Sequence, residues 1–179
     1  MLIERLRSRC NSTQFFGTAI ALNYVLSFEK FSTKDGSGKA TIIHQDGGVT
    51  PGVIFQINNI DQEILDREEG FKPAKPSDPE RYGRHDNFRI QTIETNEVVF
   101  AMTYLANNPQ KGLKPYDWYL ALVVAGAEQH KIDPDYVETL RETEYDIDTK
   151  KNRKNRLDAL ESMKLSGHDD YQKILRAQS

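Results

Sequence analysis

The sequence predicts an α+β protein, and two observations carry that prediction. Apolar and small residues alternate at 15–28, and apolar β-formers recur at 88–93 and 98–105, which is typical of strands. Residues 118–140 instead carry apolar side chains at helical spacing, with Asp117 and Asp133 placed to cap two helices. Strands therefore come first and helices later, an order that favours the α+β class.

The first third of the chain predicts a short helix followed by several strands. Apolar residues at positions 1, 2, 3 and 6 alternate with charged ones, which indicates an amphipathic helix within 1–10. The glycine-rich segments 33–39 and 45–48 predict a loop and a turn. The strands expected around these segments are Phe15–Leu22, Tyr24–Phe28, Ala40–Ile43 and Val49–Ile57.

The segment Ile64–Phe71 combines three carboxylates with apolar neighbours and a closing glycine. Asp61 is placed to cap its helix, Leu65 lies on the buried face, and Gly70 ends the helix. Glu69 is one turn beyond Leu65, and a carboxylate against an apolar wall has a raised pKa, as a general base needs. Solvated acids at a helix end explain the same pattern, and this segment alone favours that explanation.

The rest of the chain predicts a connection, a hairpin, two helices and a tail. Prolines in 72–79 favour an extended connection, and the strands at 88–93 and 98–105 form the hairpin. We expect helices at 118–130 and 135–144. The composition then becomes polar, so the chain divides into a domain at 1–147 and a polar, basic helical tail at 148–179.

Composition and charge exclude several classes of protein. Hydrophobic residues make up 37% and charged residues 28%, and the net charge of −3 does not favour a polyanionic partner. The basic run at 150–156 also lacks the aromatic neighbours of a nucleic-acid platform, which argues against nucleic-acid binding. The apolar run at 120–127 is too short to cross a bilayer. The single cysteine, Cys10, fits a reducing compartment, and we expect a cytoplasmic protein without membrane attachment.

Residues that could carry metal or thiol chemistry are few. The four histidines, His44, His85, His130 and His168, lack the spacing of metal ligands. Cys10 follows Arg9 and has no histidine close in sequence, which favours an incidental thiol over a nucleophile. The sequence also contains no glycine-rich phosphate loop. We therefore expect neither a metal nor a cofactor.

An ordered series of short motifs runs through the chain. The most specific is Leu65-Asp66-x-x-Glu69-Gly70, which Pro51-Gly52-Val53-Ile54-Phe55 precedes and Thr103-Tyr104-Leu105 follows. Tyr119 then stands seven residues before Gly126-Ala127, and Ile132-Asp133-Pro134-Asp135-Tyr136 completes the series. Taken together, the motifs resemble those of the γ-glutamylcyclotransferase family, in its animal-enzyme branch. The resemblance covers residues 1–147 and implies a mixed, barrel-like β-sheet with flanking helices.

The resemblance implies an activity and roles for three residues. The activity is the cyclisation of γ-glutamyl amino acids or γ-glutamyl amines to 5-oxoproline with release of the free amine, within glutathione metabolism. Glu69 corresponds to the catalytic base of the family, and Tyr119 to a tyrosine that contacts the substrate. Tyr82 corresponds to a pocket tyrosine, with its spacing to the next strand off by one residue. On residue type alone, a half-buried helix tyrosine explains Tyr119 equally well.

This reaction requires few catalytic groups from the protein. The α-amine of a γ-glutamyl amide closes a five-membered lactam on its own carbonyl, so the attack is intramolecular. One carboxylate can take a proton from the ammonium and deliver it to the departing amine, without metal or cofactor. The alternative function is a non-catalytic member of the same fold that binds a small ligand or a partner. Assembly into a homo-oligomer is compatible with both functions.

One feature of the family has no counterpart in this sequence. Family members open with a strand ending in Tyr-Gly-Ser-Asn, whose backbone amides hold the glutamyl group, and Met1 stands where the residue after that Asn belongs. Either the natural chain extends upstream of Met1, or this is an N-terminally truncated form. For a truncated form we expect weak turnover and self-association, because substrate hydrogen bonds are lost and strand edges are left unpaired.

Overall fold

The computed structural model describes residues 1–175, and its α+β class confirms the prediction. Two compact units divide the chain: a sheet unit at Arg9–Leu113, and a helical unit that joins Met1–Ser8 to the chain from Lys114 onward. Within the described residues, no helix has both the length and the apolar character needed to cross a membrane. The elements in chain order are α1 (Ile3–Arg7), β1 (Gln14–Phe31), β2 (Gly38–Gln56), α2 (Asn59–Glu69), β3 (Tyr82–Thr92), β4 (Val98–Ala106), α3 (Asp117–Gln129), α4 (Pro134–Arg141), α5 (Lys154–Leu165) and a final 3-10 turn (Tyr171–Ile174).

The sheet has the strand order β2-β1-β3-β4, and all three of its strand pairs are antiparallel. The strands therefore do not mix parallel and antiparallel directions, because β1–β2 and β3–β4 are hairpins and hairpin strands must run antiparallel. The edge strands approach each other at one end, where the Ala106 amide donates to Thr41 Oγ1 over 3.0 Å. This hydrogen bond joins the two edge strands, β4 and β2.

Each long strand of the first hairpin contains a local irregularity where the sequence predicts a break. Asn23 adopts a φ of 63° at a bulge, so 15–22 and 24–28 belong to one strand, β1. Gly47 has a φ of 75° inside β2, which likewise joins 40–43 to 49–56. The Gly47 amide donates to Asn23 Oδ1 over 3.0 Å, which ties the two irregularities together. Residues 45–48, which the sequence predicts as a turn, therefore lie within strand β2.

Strands β1 and β3 pair along a short seam. The paired residues are Ala19 with Thr92 and Ile20 with Gln91. Beyond this seam the strands diverge, and an open cleft of about 580 Å³ lies between them. The rings of Tyr24 and Phe88 line this cleft and meet edge to face, with their centroids 5.0 Å apart.

Helix α2 starts two residues before the predicted cap, and Gly70 ends it as predicted. Asn58 provides the cap, because its Oδ1 accepts from the Asp61 amide over 2.8 Å. Asp61 is instead buried, and its carboxylate accepts from both the amide and the hydroxyl of Ser12, each over 2.6 Å. Gly70 adopts a left-handed conformation with a φ of 75°, which closes the helix directly after Glu69.

The helical unit is built around α3, whose residues Trp118, Leu120 and Val124 are buried. Asp133 caps α4 as predicted, with its Oδ1 accepting from the amides of residues 135 and 136. Asp117 has a different role from the predicted cap. It is buried and accepts from the Asp148 amide over 3.2 Å and, through its other oxygen, from a tyrosine hydroxyl of the final 3-10 turn over 2.8 Å.

The segment predicted as a basic tail contains the expected helix, α5, and packs into this unit. Met163 on α5 has no exposed surface, and Asp148 just before the helix is 1% exposed. The Trp118 indole donates to Asp148 over 2.9 Å. Arg156 is also buried, with its guanidinium 5.8 Å from the Tyr171 ring centroid. Some side chains of this segment therefore complete the core of the helical unit.

Candidate active site

Glu69 is the last residue of α2 and lies half-buried at its carboxyl end, with 21% of its side chain exposed. The amides of Gly70 and Phe71 donate to carbonyls of the last helical turn over 3.2 and 2.8 Å, so the chain turns away immediately after Glu69. Arg9 Nη1 lies 3.3 Å from Glu69 Oε1 and forms an ion pair with it. The carboxylate is thus fixed by a cation and stays partly accessible to solvent.

A second cation, Lys30 of β1, is electrostatically linked to Glu69. Lys30 is buried, its ammonium donates to the Phe31 carbonyl, and it lies 5.3 Å from the Tyr82 ring centroid. Burial lowers the pKa of Lys30, whereas the negative charge of Glu69 acts to raise it. Both cations favour the ionised form of Glu69, which is the form that accepts a proton.

Asp66 lies one turn before the end of α2 and connects the helix to the second hairpin. Its two oxygens accept from the Tyr104 hydroxyl over 2.6 Å and from Arg84 Nη1 over 2.7 Å. Burial raises the pKa of Tyr104, and the hydrogen bond to Asp66 raises it further, so the hydroxyl stays protonated and continues to donate. Arg84 also lies 5.0 Å from the Phe71 ring centroid. These contacts fix the helix end that carries Glu69.

The two tyrosines predicted to contact substrate lie in different units. Tyr82 starts β3, where it is half-buried and its hydroxyl donates to the Ala40 carbonyl over 2.7 Å. Its ring lies beside Lys30, the cation that is electrostatically linked to Glu69. Tyr119 lies on α3 in the helical unit, where its ring meets that of Trp118 edge to face at 5.9 Å. A substrate contact remains a prediction for both tyrosines.

Cys10 is buried, and its thiol donates to the Asp61 carbonyl over 3.5 Å. Burial raises the pKa of Cys10, and the charge of Asp61 raises it further, so the sulfur stays a thiol rather than a nucleophilic thiolate. Among the residues that the structure describes, no group of three or more His, Cys, Asp or Glu side chains is arranged to hold a metal ion. The candidate site is therefore built from carboxylate, guanidinium, ammonium and phenol groups.

Sequence reasoning singled out Glu69, whose role stays a prediction, and missed residues that interact with it. Arg9 and Lys30 carry no recognisable local pattern, because they reach α2 only through the tertiary fold. Asp66 and Tyr104 both lie in the motifs that carry the family resemblance, and their presence in those motifs was the one sequence signal that pointed to these two residues.

The fold and the motif at the end of α2 define the class of protein: the chain belongs to the AIG2-like family, whose model matches residues 51–140. Among curated proteins, the chain is 26% identical to the Gamma-glutamylcyclotransferase of Homo sapiens over 148 residues, which covers 80% of this chain and 74% of the relative. The Mus musculus protein of the same name gives the same identity and coverage. The resemblance to the γ-glutamylcyclotransferase family is thereby confirmed.

Solved structures share the fold of this chain. A structure named Gamma-glutamyl cyclotransferase superposes with a TM-score of 0.75 at 25% identity, covering 89% of this chain and 92% of that chain. The crystal structure of an uncharacterized protein, loc79017, from Homo sapiens gives a TM-score of 0.76 at 24% identity with the same coverage, and shows the fold alone. YkqA from Bacillus subtilis matches 72% of this chain and 44% of its own, with a TM-score of 0.59 at 20% identity.

Proposed function

We propose that this protein is a γ-glutamylcyclotransferase that converts γ-glutamyl amino acids or γ-glutamyl amines to 5-oxoproline and the free amine. Glu69 is the general acid and base, and Tyr82 and Tyr119 contact the substrate. The observation that carries the proposal is the half-buried Glu69 carboxylate, paired with Arg9, at the glycine-terminated end of α2. The curated relatives named Gamma-glutamylcyclotransferase support the reaction class.

The reaction needs one group that first accepts a proton and later returns it. Glu69 takes a proton from the substrate α-ammonium, and the resulting amine attacks the γ-carbonyl carbon to form the lactam C–N bond. The original amide C–N bond then breaks, and Glu69 donates its proton to the departing nitrogen. The ring nitrogen gives up its second proton to solvent, and the released amine takes up a proton from solvent. Because the nucleophile and the carbonyl belong to one molecule, holding the glutamyl chain folded supplies much of the rate.

An ionised carboxylate is the form required at the start of this cycle. Arg9 lies 3.3 Å from Glu69 and Lys30 is electrostatically linked to it, and both favour that form. Partial burial strengthens these interactions, because they are less screened than those of a fully exposed pair. Partial exposure also leaves a route by which a small substrate can reach the carboxylate.

The test is a comparison of Glu69→Gln with Glu68→Gln. Glutamine preserves the shape of the side chain and removes the proton acceptor, so Glu69→Gln should lower turnover by about a hundredfold or more. Glu68 is exposed and projects about 100° further round the helix, so Glu68→Gln should leave turnover nearly unchanged. The measurement is 5-oxoproline release from γ-glutamyl-alanine, with circular dichroism to verify folding. Equal losses in the two variants, or full activity of Glu69→Gln, would refute the role of Glu69.

The same assay separates turnover from binding alone. If the unmodified protein binds γ-glutamyl-alanine in calorimetry and releases no 5-oxoproline, the cyclotransferase proposal fails. The function would then be the binding of a small ligand on the same fold.

A further inference from the structure

Arg9 reaches Glu69 from a segment that α2 itself holds in place. The carboxylate of Asp61, in the first turn of α2, accepts two hydrogen bonds of 2.6 Å from Ser12. The Cys10 thiol donates to the Asp61 carbonyl over 3.5 Å, and Cys10 has no exposed surface. The backbone on the C-terminal side of Arg9 is therefore anchored to the start of the helix whose end carries Glu69.

The same segment is closed upon itself by a tight turn. The amide and the hydroxyl of Thr13 both donate to the Cys10 carbonyl, over 3.2 and 2.6 Å. Thr13 and Cys10 are both buried. With its backbone held in this way, Arg9 loses less conformational freedom when it pairs with Glu69 than a long side chain on a mobile loop would lose. The hydrogen bonds of the neighbouring backbone therefore hold Arg9 in a position from which it can pair with Glu69.

We propose that Arg9 is a positioning residue for the cyclisation: it orients the Glu69 carboxylate and favours its ionised form, and so sets the acid limit of turnover. This proposal rests on the cyclotransferase function proposed above. The ion pair is only partly exposed, with 23% of the Arg9 side chain and 21% of the Glu69 side chain accessible. Solvent therefore screens the pair less than it screens a surface salt bridge.

Several other titratable groups face Glu69. Lys30 approaches from β1 and Tyr104 from β4, and Cys10 lies on the same segment as Arg9. The pKa of Cys10 and that of Tyr104 are both raised, first by burial, so these two groups stay neutral at neutral pH. Lys30 and Arg9 are thus two cations that act on Glu69, and Arg9 forms an ion pair with it over 3.3 Å.

The experiment compares the pH dependence of kcat/KM for γ-glutamyl-alanine in three variants. An opposite charge within ion-pair distance lowers a carboxylate pKa by about one unit or more, so Arg9→Gln should move the acid limb of the profile upward by about one pH unit. Arg9→Lys keeps the charge and should return the limb most of the way to its original position. Arg67→Gln is the matched control, because it removes the same charge from an exposed position on the last turn of α2 and should leave the limb unmoved.

A second measurement reads the ion pair without turnover. Carbon-13 NMR titration of labelled glutamate side chains should show a higher pKa for Glu69 in Arg9→Gln than in the unmodified protein, with Glu69→Gln identifying the signal. An unchanged Glu69 titration and an unchanged kinetic profile in a folded Arg9→Gln protein would overturn the inference. An equal shift in Arg67→Gln would also overturn it, since a general charge effect would then be the cause.

The two measurements also separate this inference from the proposed function. If the unmodified protein releases no 5-oxoproline, the cyclotransferase proposal fails, and with it the role of Arg9 in that reaction. The NMR titration then still decides whether Arg9 controls the ionisation of Glu69. If Glu69→Gln abolishes turnover and the Arg9→Gln profile is unchanged, only the role of Arg9 is refuted.

Discussion

Replacing Met163 with alanine should destabilise the helical unit by about 2–5 kcal/mol. Met163 lies on α5 and has no exposed surface. Complete burial of a methionine side chain contributes about 1.5–3 kcal/mol relative to leaving it in water, and the cavity left by truncation adds to the loss. The change tests whether the segment after residue 147 belongs to the folded core.

Leu165→Ala is the matched control on the same helix. Leu165 is 68% exposed, so removal of its side chain should change the free energy of unfolding by about 0.5 kcal/mol or less. Both substitutions replace a long apolar side chain with alanine, and both original residues favour helix to a similar degree. The two variants therefore differ mainly in burial.

Urea unfolding followed by circular dichroism at 222 nm measures both variants. With a denaturant slope of about 1–3 kcal/mol per molar urea, the Met163→Ala midpoint should fall by about 1 M or more. The Leu165→Ala midpoint should stay close to that of the unmodified protein. Equal midpoints for the two variants would refute the packing of α5 described here.

Two further predictions concern other buried contacts. Tyr104→Phe removes the 2.6 Å hydrogen bond to Asp66 and should lower the free energy of unfolding, measured by urea titration, by about 1.5–3 kcal/mol. Phe100→Ala, at an exposed position, is the control, and a smaller loss in Tyr104→Phe than in this control would contradict the prediction. Burial opposes the ionisation of Asp148, but hydrogen bonds from Trp118 and Arg153 hold its pKa below the ordinary value. The stabilising contribution of ionised Asp148 is therefore present above about pH 4 and is lost as the pH falls through the lowered pKa. Asp148→Asn should thus lose less stability between pH 4 and pH 2 than the unmodified protein. Equal losses of stability in the two proteins over this pH range would contradict the prediction.

Local sequence signals predicted the features that depend on neighbouring residues. Gly70 ends α2 directly after Glu69, and Asp133 caps α4, because a glycine in the left-handed conformation and an aspartate cap act over one helical turn. Asn58 and Asp61 are both good capping residues, and the choice between them was decided by Ser12, which is distant in sequence and binds Asp61. Local propensity could not foresee that contact.

The surroundings of Glu69 depend on tertiary contacts that no short pattern encodes. Arg9 precedes its partner by sixty positions, and the only local hint for Lys30 would have been a charged residue in an otherwise strand-like segment. The burial of Met163 was missed for a related reason. Its helix is rich in charged residues, so its average polarity hides the single face that packs against the core.

The short seam between β1 and β3 also has a consequence for the order of assembly. The β1–β2 and β3–β4 hairpins close short loops at 32–37 and 93–97, and hairpins of this kind form within microseconds. The seam instead joins residues 20 and 91, so its formation requires the closure of a far longer loop for the gain of two residue pairs. Lys30 lies in the first hairpin and Arg9 precedes it in the chain, whereas the contacts that hold Asp66 come from the second hairpin. We therefore expect this seam to form after the two hairpins that it joins.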